Sequence, residues 1–292
     1  MKAVLSKRST ALMLLAAGLL CACTTPAIRF HEAARTQGLK VEQLPVGAHA
    51  VDIFMQRTPA PGEALHVYLD GDGKPWLSKV RIARDPTTRE RLVLDLMQQD
   101  PAPSVLVGRP CYYGASAGCD PLLWTNGRYG EPIVAAMTSA IGALGARWPD
   151  SPVVLIGYSG GGALAMLIAP RLPQVSAVLT LAANVDVGAW AAHHGAEPLA
   201  ASLDPALLPP LPSSIRQWHF YGEDDDNVPA AAMQAAIARQ PGAELQILPG
   251  FDHRCCWAQA WPGVLSETVL SGALQQSRTH QALQAGDADL PR

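Results

Sequence analysis

One short stretch constrains the fold of this chain more than any other. Residues 153–166 read VVLIGYSGGGALAM, an apolar run that breaks into glycines around Ser159 and then becomes apolar again. Read from Gly157, the stretch matches G-x-S-x-G, the strand–turn–helix corner that exposes a nucleophilic serine. Read from Gly160, it matches G-x-G-x-x-A, a form of the dinucleotide-binding fingerprint. The rest of the chain has to decide between these two interpretations.

Composition favours one large α/β domain. The chain has 292 residues, of which 49% are hydrophobic and 16% charged, and this is enough to bury a full sheet. Strand patterns alternate with helix patterns after an antiparallel start, which indicates a mostly parallel central sheet with helices on both faces. We predict a helix over residues 85–100 with Asp85 as its N-cap. Residues 184–214 are predicted to form a small cap after the sixth strand.

The N-terminus has the layout of a secretory signal, with three basic residues before an apolar stretch at residues 11–20. The ending LCAC at residues 20–23 resembles a bacterial lipobox, which implies that residues 1–22 are removed and that Cys23 carries lipid. The alternative is an ordinary cleaved signal without lipid. We expect a lipid-anchored envelope protein on the periplasmic face of the outer membrane, with a linker over 23–37, a folded domain over 38–274 and a frayed tail over 275–292.

Charge argues against a nucleic-acid partner. Without residues 1–22 the chain keeps 19 basic and 25 acidic residues, a net charge near −6. Neutralising phosphates requires a surplus of lysine and arginine, and no basic cluster stands out in the sequence. The expected partners are therefore a small-molecule acyl substrate and a membrane, which the protein contacts through its N-terminal lipid anchor.

Four cysteines remain beyond Cys23. Cys111 and Cys119 flank a short, glycine-rich loop, and we predict that they form a disulfide in an oxidising compartment. Cys255 and Cys256 are neighbours whose Cα atoms lie about 3.8 Å apart, below the usual disulfide range, so we expect them to be thiols packed behind His253. No cysteine spacing here is typical of a zinc site.

A serine nucleophile needs a base, and the base needs an orienting acid. Both are present downstream, and each follows its own predicted strand. Asp225 lies in FYGEDDDNVP, after a strand at 215–222, and His253 lies in LPGFDHRCCW, after a strand at 243–249. The order Ser159, Asp225, His253 is that of the α/β-hydrolase triad. Asp224, Asp226 and Asp186 compete with Asp225 for the role of the acid.

With these motifs in this order, the chain resembles α/β-hydrolases, and most closely bacterial lipoproteins of that superfamily whose substrates are not characterised. The dinucleotide interpretation fits less well, because several strands precede the glycines and the nearest acid, Asp186, lies beyond the end of the next strand. We therefore interpret the corner as a nucleophile elbow and the fold as an α/β-hydrolase fold.

The resemblance also implies two backbone donors for an oxyanion. One is the amide of Gly160. The other belongs to the loop YLDGDGKPW, where Asp72 and Gly73 are the candidates. A carboxylate so close to a developing oxyanion must point away or be paired, and its candidate partners are Arg81, Arg84 and Arg109.

The predicted function is a serine hydrolase that acts on a carboxylic ester or a related small acyl compound, with no metal or organic cofactor. Alternatives are an acyltransferase or small peptidase with the same triad, and a non-catalytic binding module that retains the fold. An apolar acyl or aryl group is expected in the site, because several aromatic residues fall in or near loops that could line it: Tyr112, Tyr113, Trp124, Trp190 and Trp257.

Overall fold

The computed structural model describes residues 24–114 and 118–268. The signal peptide, the predicted lipid attachment at Cys23 and the tail at 275–292 therefore lie outside the described residues. Within those two described ranges, no helix is long and apolar enough to cross a membrane.

The described residues form a central sheet of eight strands and a separate two-stranded hairpin. The strands are β1 Lys40–Val46, β2 His49–Met55, β3 Leu65–Leu69, β4 Trp76–Ser78, β5 Arg81–Ile82, β6 Ser104–Val107, β7 Val153–Tyr158, β8 Val175–Leu181, β9 Arg216–Gly222 and β10 Glu244–Leu248. The α-helices are α1 Pro26–Thr36, α2 Leu92–Gln99, α3 Glu131–Arg147, α4 Gly160–Ile168, α5 Val187–His193, α6 Ala230–Ala238 and α7 Trp257–Glu267.

The strand order in the central sheet is β1-β2-β6-β3-β7-β8-β9-β10, and strands β4 and β5 form the hairpin. Strand β2 pairs antiparallel with both β1 and β6, whereas the five remaining pairs are parallel. Parallel strands require crossover connections, and helices provide most of them here. The predicted mostly parallel sheet with an antiparallel start is confirmed.

Two hydrophobic cores lie on opposite faces of the sheet. Along β3, Leu65, Val67 and Leu69 belong to one core, while Tyr68 belongs to the other, as the alternation of side chains in a strand requires. The first core contains residues of α3, α4 and α6, and the second contains residues of α1, α2 and α7. Helices therefore cover both faces, and the carboxyl ends of the parallel strands meet at one edge of the sheet.

The predicted linker over 23–37 is wrong for most of its length, because α1 occupies residues 26–36. Thr25 caps this helix by accepting a hydrogen bond from the Ile28 amide. Phe30 is buried, and its ring lies 5.2 Å from the ring of Phe54. The apolar face of α1 is therefore part of the second core, whereas a linker would contribute no buried side chains to it.

The predicted helix over 85–100 begins later, at Leu92. Asp85 accepts a hydrogen bond from the Thr87 amide two residues on, a local turn that competes with helix formation. The Pro86 carbonyl accepts from Lys74, and the Thr87 hydroxyl accepts from the Tyr113 amide. Residues 85–91 thus stay irregular because their backbone and side chains form hydrogen bonds with neighbouring loops.

The predicted cap at residues 184–214 contains α5 and one turn of 3₁₀-helix, Pro205–Leu207. Asp204 holds these together, since its carboxylate accepts hydrogen bonds from the amides of Val187, Gly188 and Ala206. The segment therefore forms a small cap, held by its own hydrogen bonds, beside the carboxyl edge of the sheet.

Candidate active site

Ser159 occupies a strained corner between β7 and α4. Its backbone has φ 51° and ψ −124°, a conformation that a residue with a side chain rarely adopts. Such strain is characteristic of the nucleophile elbow, where the turn pushes the serine hydroxyl away from the sheet. The Ser159 amide donates to the Leu181 carbonyl of the adjacent strand, which fixes the corner to the sheet.

Close packing explains the glycines around Ser159. A Cβ on Gly157 would lie 2.5 Å from the Gly162 Cα, and a Cβ on Gly162 would lie 2.2 Å from the Ala183 Cβ. Helix α4 and its neighbouring strands approach so closely that no side chain fits there. The glycines therefore serve the turn, as expected for an elbow, rather than a pyrophosphate.

The structure brings the three residues of the predicted triad together. His253 Nδ1 lies 2.9 Å from Asp225 Oδ2, and His253 Nε2 lies 3.1 Å from Ser159 Oγ. When the Nδ1 proton is donated to Asp225, Nε2 is free to accept the proton of the serine hydroxyl. This is the geometry that nucleophile activation requires.

The competing acids lie elsewhere. Asp225 is 3% exposed, and its second carboxylate oxygen accepts the amides of Asn227 and Val228, each at 2.8 Å. Asp224 and Asp226 on either side of it are exposed. Asp186 accepts from the Ala189 amide at the start of α5 and is the N-cap of that helix. Of the four candidates, Asp225 is the one whose carboxylate is bonded to His253.

Tyr158, which precedes the serine, was not identified from the sequence. Its hydroxyl donates to the His253 carbonyl at 2.8 Å, and its ring lies 5.3 Å from the imidazole. Burial raises the pKa of this tyrosine, so it stays neutral. Tyr158 therefore positions the loop of His253 against Ser159. In the sequence, the place of Tyr158 next to the serine was the only sign of this role.

The loop after β3, which contains both candidate second oxyanion donors, is fixed by ion pairs. Asp72 Oδ1 lies 2.9 Å from Arg109, and Asp72 Oδ2 lies 2.9 Å from Arg128 and 2.6 Å from the Tyr129 hydroxyl. Burial acts to raise the pKa of Asp72, but the two guanidinium groups outweigh it and lower that pKa. A Cβ on Gly160 would lie 1.9 Å from Asp72 Oδ1, so this carboxylate packs directly on the first turn of α4.

Arg109 was one of the three predicted partners of Asp72, and the structure pairs it there. The other two, Arg81 and Arg84, are exposed and form no ion pair within the described ranges. Arg128 was missed, because it lies in the loop before α3, far along the sequence from Asp72 and outside any motif. Gly73 adopts φ +63° and packs against the Pro86 carbonyl, where a Cβ would lie at 2.1 Å.

Asp70 is a second buried carboxylate in this loop. Its Oδ1 accepts the Gly71 amide at 2.7 Å, and its Oδ2 accepts the Tyr113 hydroxyl at 3.3 Å. Burial raises the pKa of Asp70 to about 6, against the lowering effects of the Gly71 bond and the Arg109 charge. A Cβ on Gly71 would lie 3.3 Å from the Ser159 Cβ, so Asp70 lies one residue from the backbone that contacts the nucleophile.

A cleft of about 640 Å³ opens in front of Ser159, and its lining is mostly polar. Charged and amide side chains around it are Asp70, Asp72, Glu90, Arg128, Asn184, Asp224, Asp226, Asn227, Asp252 and Arg254. The prediction of an aromatic lining is largely wrong. Tyr112, Tyr113, Trp124 and Trp257 are buried in the second core, and Trp190 is the one of the five that lines the cleft.

The predicted bridge between Cys111 and Cys119 is present, with Cα atoms 5.7 Å apart. Cys255 and Cys256 also form a disulfide, so the prediction that they are thiols is wrong. These two residues are not buried behind His253 but lie toward solvent at the start of α7. His49 lies close to Cys111 and Cys119, but their sulfurs are bonded to each other and are not available as thiolate ligands.

Comparison with known proteins gives matches in structure but not in sequence. No protein-family model matches the chain, and no curated protein matches it significantly. Among solved structures, it is similar to an α/β serine hydrolase homologue from Coxiella burnetii, with a TM-score of 0.54 and 11% identity over 80% of this chain and 96% of that one.

Two further similar structures are described as esterases. The Pyrococcus furiosus esterase has a TM-score of 0.54 and 12% identity, over 82% of this chain and 90% of that one. Carboxylesterase CesB from Bacillus subtilis has a TM-score of 0.51 and 13% identity, over 84% of this chain and 97% of that one. Identities this low establish the fold alone. Together with the sheet order and the elbow between β7 and α4, they show that this chain has the α/β-hydrolase fold.

Proposed function

We propose that the protein is a serine hydrolase that cleaves a carboxylic ester through an acyl-enzyme. The observation that carries this proposal is the continuous hydrogen-bonded series from Asp225 through His253 to Ser159, with separations of 2.9 and 3.1 Å. The strained backbone of Ser159 supports it, because strain persists where the surrounding structure enforces a functional geometry.

In the proposed reaction, Ser159 Oγ attacks the ester carbonyl carbon while His253 Nε2 takes the hydroxyl proton. Asp225 stays ionised and stabilises the imidazolium that forms. His253 then gives this proton to the leaving alkoxide, so that an alcohol departs and the acyl group remains on the serine oxygen. Water, deprotonated by the same imidazole, releases the carboxylic acid and restores the hydroxyl.

The oxyanion of each tetrahedral intermediate needs preset backbone donors. Gly160 begins α4, and the first amides of a helix have no acceptor one turn earlier. We assign this amide as one donor. The loop at residues 71–73 is the proposed source of the other, and the pairing of Asp72 with Arg109 and Arg128 supports this, because it neutralises the carboxylate beside the developing charge.

The cleft favours a polar acyl compound over a long alkyl ester. Ligand pockets for apolar groups are lined mainly by hydrophobic and aromatic side chains, whereas Trp190 stands here among carboxylates and amides. Asn184 lines the cleft, but its side chain is buried and donates to the Tyr129 hydroxyl. A substrate with hydrogen-bond donors near its carbonyl fits this lining better than a fatty acyl chain.

The test of this proposal is hydrolysis of a panel of p-nitrophenyl and natural esters that differ in chain length and polarity. We expect turnover with short or polar acyl groups, a decline as the alkyl chain lengthens, and no turnover in Ser159→Ala. Amides and thioesters in the same panel separate esterase from peptidase and acyl-transfer chemistry. Turnover that survives in Ser159→Ala would contradict the proposal.

The membrane anchor is a separate proposal. The LCAC ending supports cleavage before Cys23 and attachment of diacylglycerol to its sulfur. We expect the protein in the membrane fraction, and we expect Cys23→Ser to release it at high salt with its catalytic groups intact. A native protein that is fully soluble and whose mature chain starts elsewhere would contradict the anchor without affecting the hydrolase proposal.

A further inference from the structure

The hairpin of β4 and β5 exposes an unusual concentration of apolar side chains. Trp76, Leu77, Val80 and Ile82 are all large, hydrophobic and exposed, and Val80 at the turn is 90% exposed. Single exposed apolar residues are normal on a protein surface, but four within seven residues form a patch. The hairpin pairs only within itself and is not part of the central sheet.

Positive charge surrounds this patch, which corrects the expectation that the sequence contains no basic cluster. Residues 74–91, here called the basic hairpin surface, contain six basic and two acidic residues, a local net charge of +4 in a chain whose net charge is −3. The six basic residues, all exposed, are Lys74, Lys79, Arg81, Arg84, Arg89 and Arg91.

None of these six cations has an ion-pair partner within residues 24–114 and 118–268. The two acidic residues of the surface are already bonded. Glu90 lies 2.7 Å from Arg254, and Asp85 accepts the amides of Ala27 and Thr87. The positive charge is therefore available to an external anionic partner.

The described chain begins at the same surface. Pro26 lies against a cleft of about 570 Å³ formed with Leu77, Arg81 and Ile82, and the adjacent Ala27 amide is bonded to Asp85 at 3.0 Å. Cys23 and the apolar leader lie shortly before Pro26 in the sequence, with Thr24 and Thr25 between Cys23 and Pro26. A bilayer that the leader or a lipid on Cys23 engages would therefore lie near the basic hairpin surface.

We propose that the basic hairpin surface binds an anionic phospholipid bilayer. Val80 and its apolar neighbours would enter the interface, and the lysine and arginine side chains would reach the phosphate groups, since their long stems cover apolar surface while their charges remain solvated. Basic side chains near an anionic bilayer attract it within a Debye length. This contact is independent of the proposed hydrolysis and of the attachment of lipid to Cys23.

The contact would also orient the catalytic cleft. Pro75, Thr88 and Glu90 belong to the segment 74–91 and line the cleft in front of Ser159. A bilayer bound to the hairpin thus lies next to one wall of the cleft, so that the cleft opens beside the lipid surface.

The test uses full-length protein that carries Cys23→Ser, so that no lipid is attached and any contribution of the leader is common to all variants. Binding is measured by cosedimentation with vesicles of phosphatidylglycerol and phosphatidylethanolamine, and with vesicles of phosphatidylcholine alone. Because the leader is present with both kinds of vesicle, we expect stronger binding to the anionic vesicles than to the neutral ones, with a difference that salt reduces. Each basic residue contributes about fivefold to such binding, so Lys79→Glu/Arg81→Glu should reduce it by about 25-fold or more.

The matched control is Lys40→Glu/Arg216→Glu, which makes the same charge change at two exposed residues outside the surface and should retain binding. Val80→Asp tests the apolar tip against Leu207→Asp, an equally conspicuous exposed apolar residue elsewhere. Melting curves followed by circular dichroism report whether each variant is folded. Equal loss in hairpin and control variants, equal binding to neutral vesicles, or no binding by the parent would overturn the proposal. A dimer that the hairpin variants abolish, without vesicle binding, would assign the surface to a second copy instead.

Discussion

Asp225 and Asp72 are both largely buried carboxylates at the carboxyl edge of the same sheet, yet their surroundings differ in kind. Asp225 follows β9 and is bonded to two backbone amides and to His253. Asp72 follows β3 and is bonded to two arginines and a tyrosine. The first carboxylate has a partner whose charge can change, whereas the second is held by charges that are permanent.

This difference indicates different roles for Asp225 and Asp72. An acid that orients a catalytic imidazole must stabilise the imidazolium when it forms, so it cannot already be neutralised by a guanidinium. The Asp72 carboxylate is paired with both Arg109 and Arg128, and their charges lower its pKa. We infer that Asp225 serves the chemistry and that Asp72 fixes the loop beside the nucleophile.

The largest expected effect tests Asp225. Asp225→Asn keeps the size of the side chain but offers the imidazole the wrong hydrogen bond, and kcat should fall by up to about ten-thousand-fold. Asp224→Asn and Asp226→Asn are matched controls on exposed neighbours and should retain most of the activity. If Asp186→Asn abolishes turnover while Asp225→Asn spares it, Asp186 and not Asp225 orients the imidazole.

Loss of the Asp72 carboxylate should lower the free energy of unfolding rather than alter the reaction itself. Asp72→Asn leaves two largely buried guanidinium groups without their counter-charge, and removal of one partner from a buried ion pair costs about 3–5 kcal/mol. Urea unfolding measures this directly, with Asp225→Asn as the matched variant, for which we expect a smaller loss. A loss below about 1 kcal/mol would mean that the Asp72 network is worth no more than a surface ion pair.

A pH dependence distinguishes Asp70 from both. Its pKa is raised to about 6 by burial, so between about pH 4 and pH 6 the folded state binds a proton that the unfolded state does not. Folding is therefore penalised at higher pH by about 3 kcal/mol, and this penalty disappears as the pH falls toward 4. The stability of Asp70→Asn relative to the parent should fall by that amount between about pH 8 and pH 4. A gap that is the same at both pH values would show that Asp70 is not desolvated.

The smallest expected effect concerns the bridge that closes the loop carrying Tyr112, whose hydroxyl donates to the Asp72 carbonyl at 3.0 Å. Cys111→Ser/Cys119→Ser removes a short-loop constraint worth at most about 3 kcal/mol. We expect a lower Tm and retained activity, because Asp225 and His253 lie on other loops. Peptide mapping without reduction checks the pairing, and a peptide that joins Cys111 to Cys255 or Cys256 would contradict it.

The strong local signals in the sequence predicted most of the architecture. The apolar runs at β3, β7 and β8 and the glycines around Ser159 follow from burial on both faces and from close packing at the elbow, so they could be recognised without the structure. Ser159, Asp225 and His253 each follow a strand. Their meeting could be predicted because parallel strands bring their carboxyl ends together.

What the sequence could not predict depends on tertiary contacts. Helix α1 has a local start signal in Thr25 and Pro26, but the burial of Phe30 that stabilises it is a tertiary contact. Residues 85–91 remain outside α2 because Tyr113 and Lys74 use their hydrogen-bonding groups. The pairing of Arg128 with Asp72 joins two loops that are 56 positions apart. Polarity of the cleft was missed for the same reason, since the loop aromatics turned inward to fill the second core.

The most direct test of the central claim is reaction of the folded protein with a fluorophosphonate, followed by intact mass and peptide mapping. An activated serine should be modified once, at Ser159, and the reaction should be lost in Ser159→Ala. It should be strongly slowed in His253→Ala and Asp225→Asn, while Asp224→Asn reacts at the parental rate. Absence of an adduct in the folded parent, or an adduct on another residue, would contradict the account.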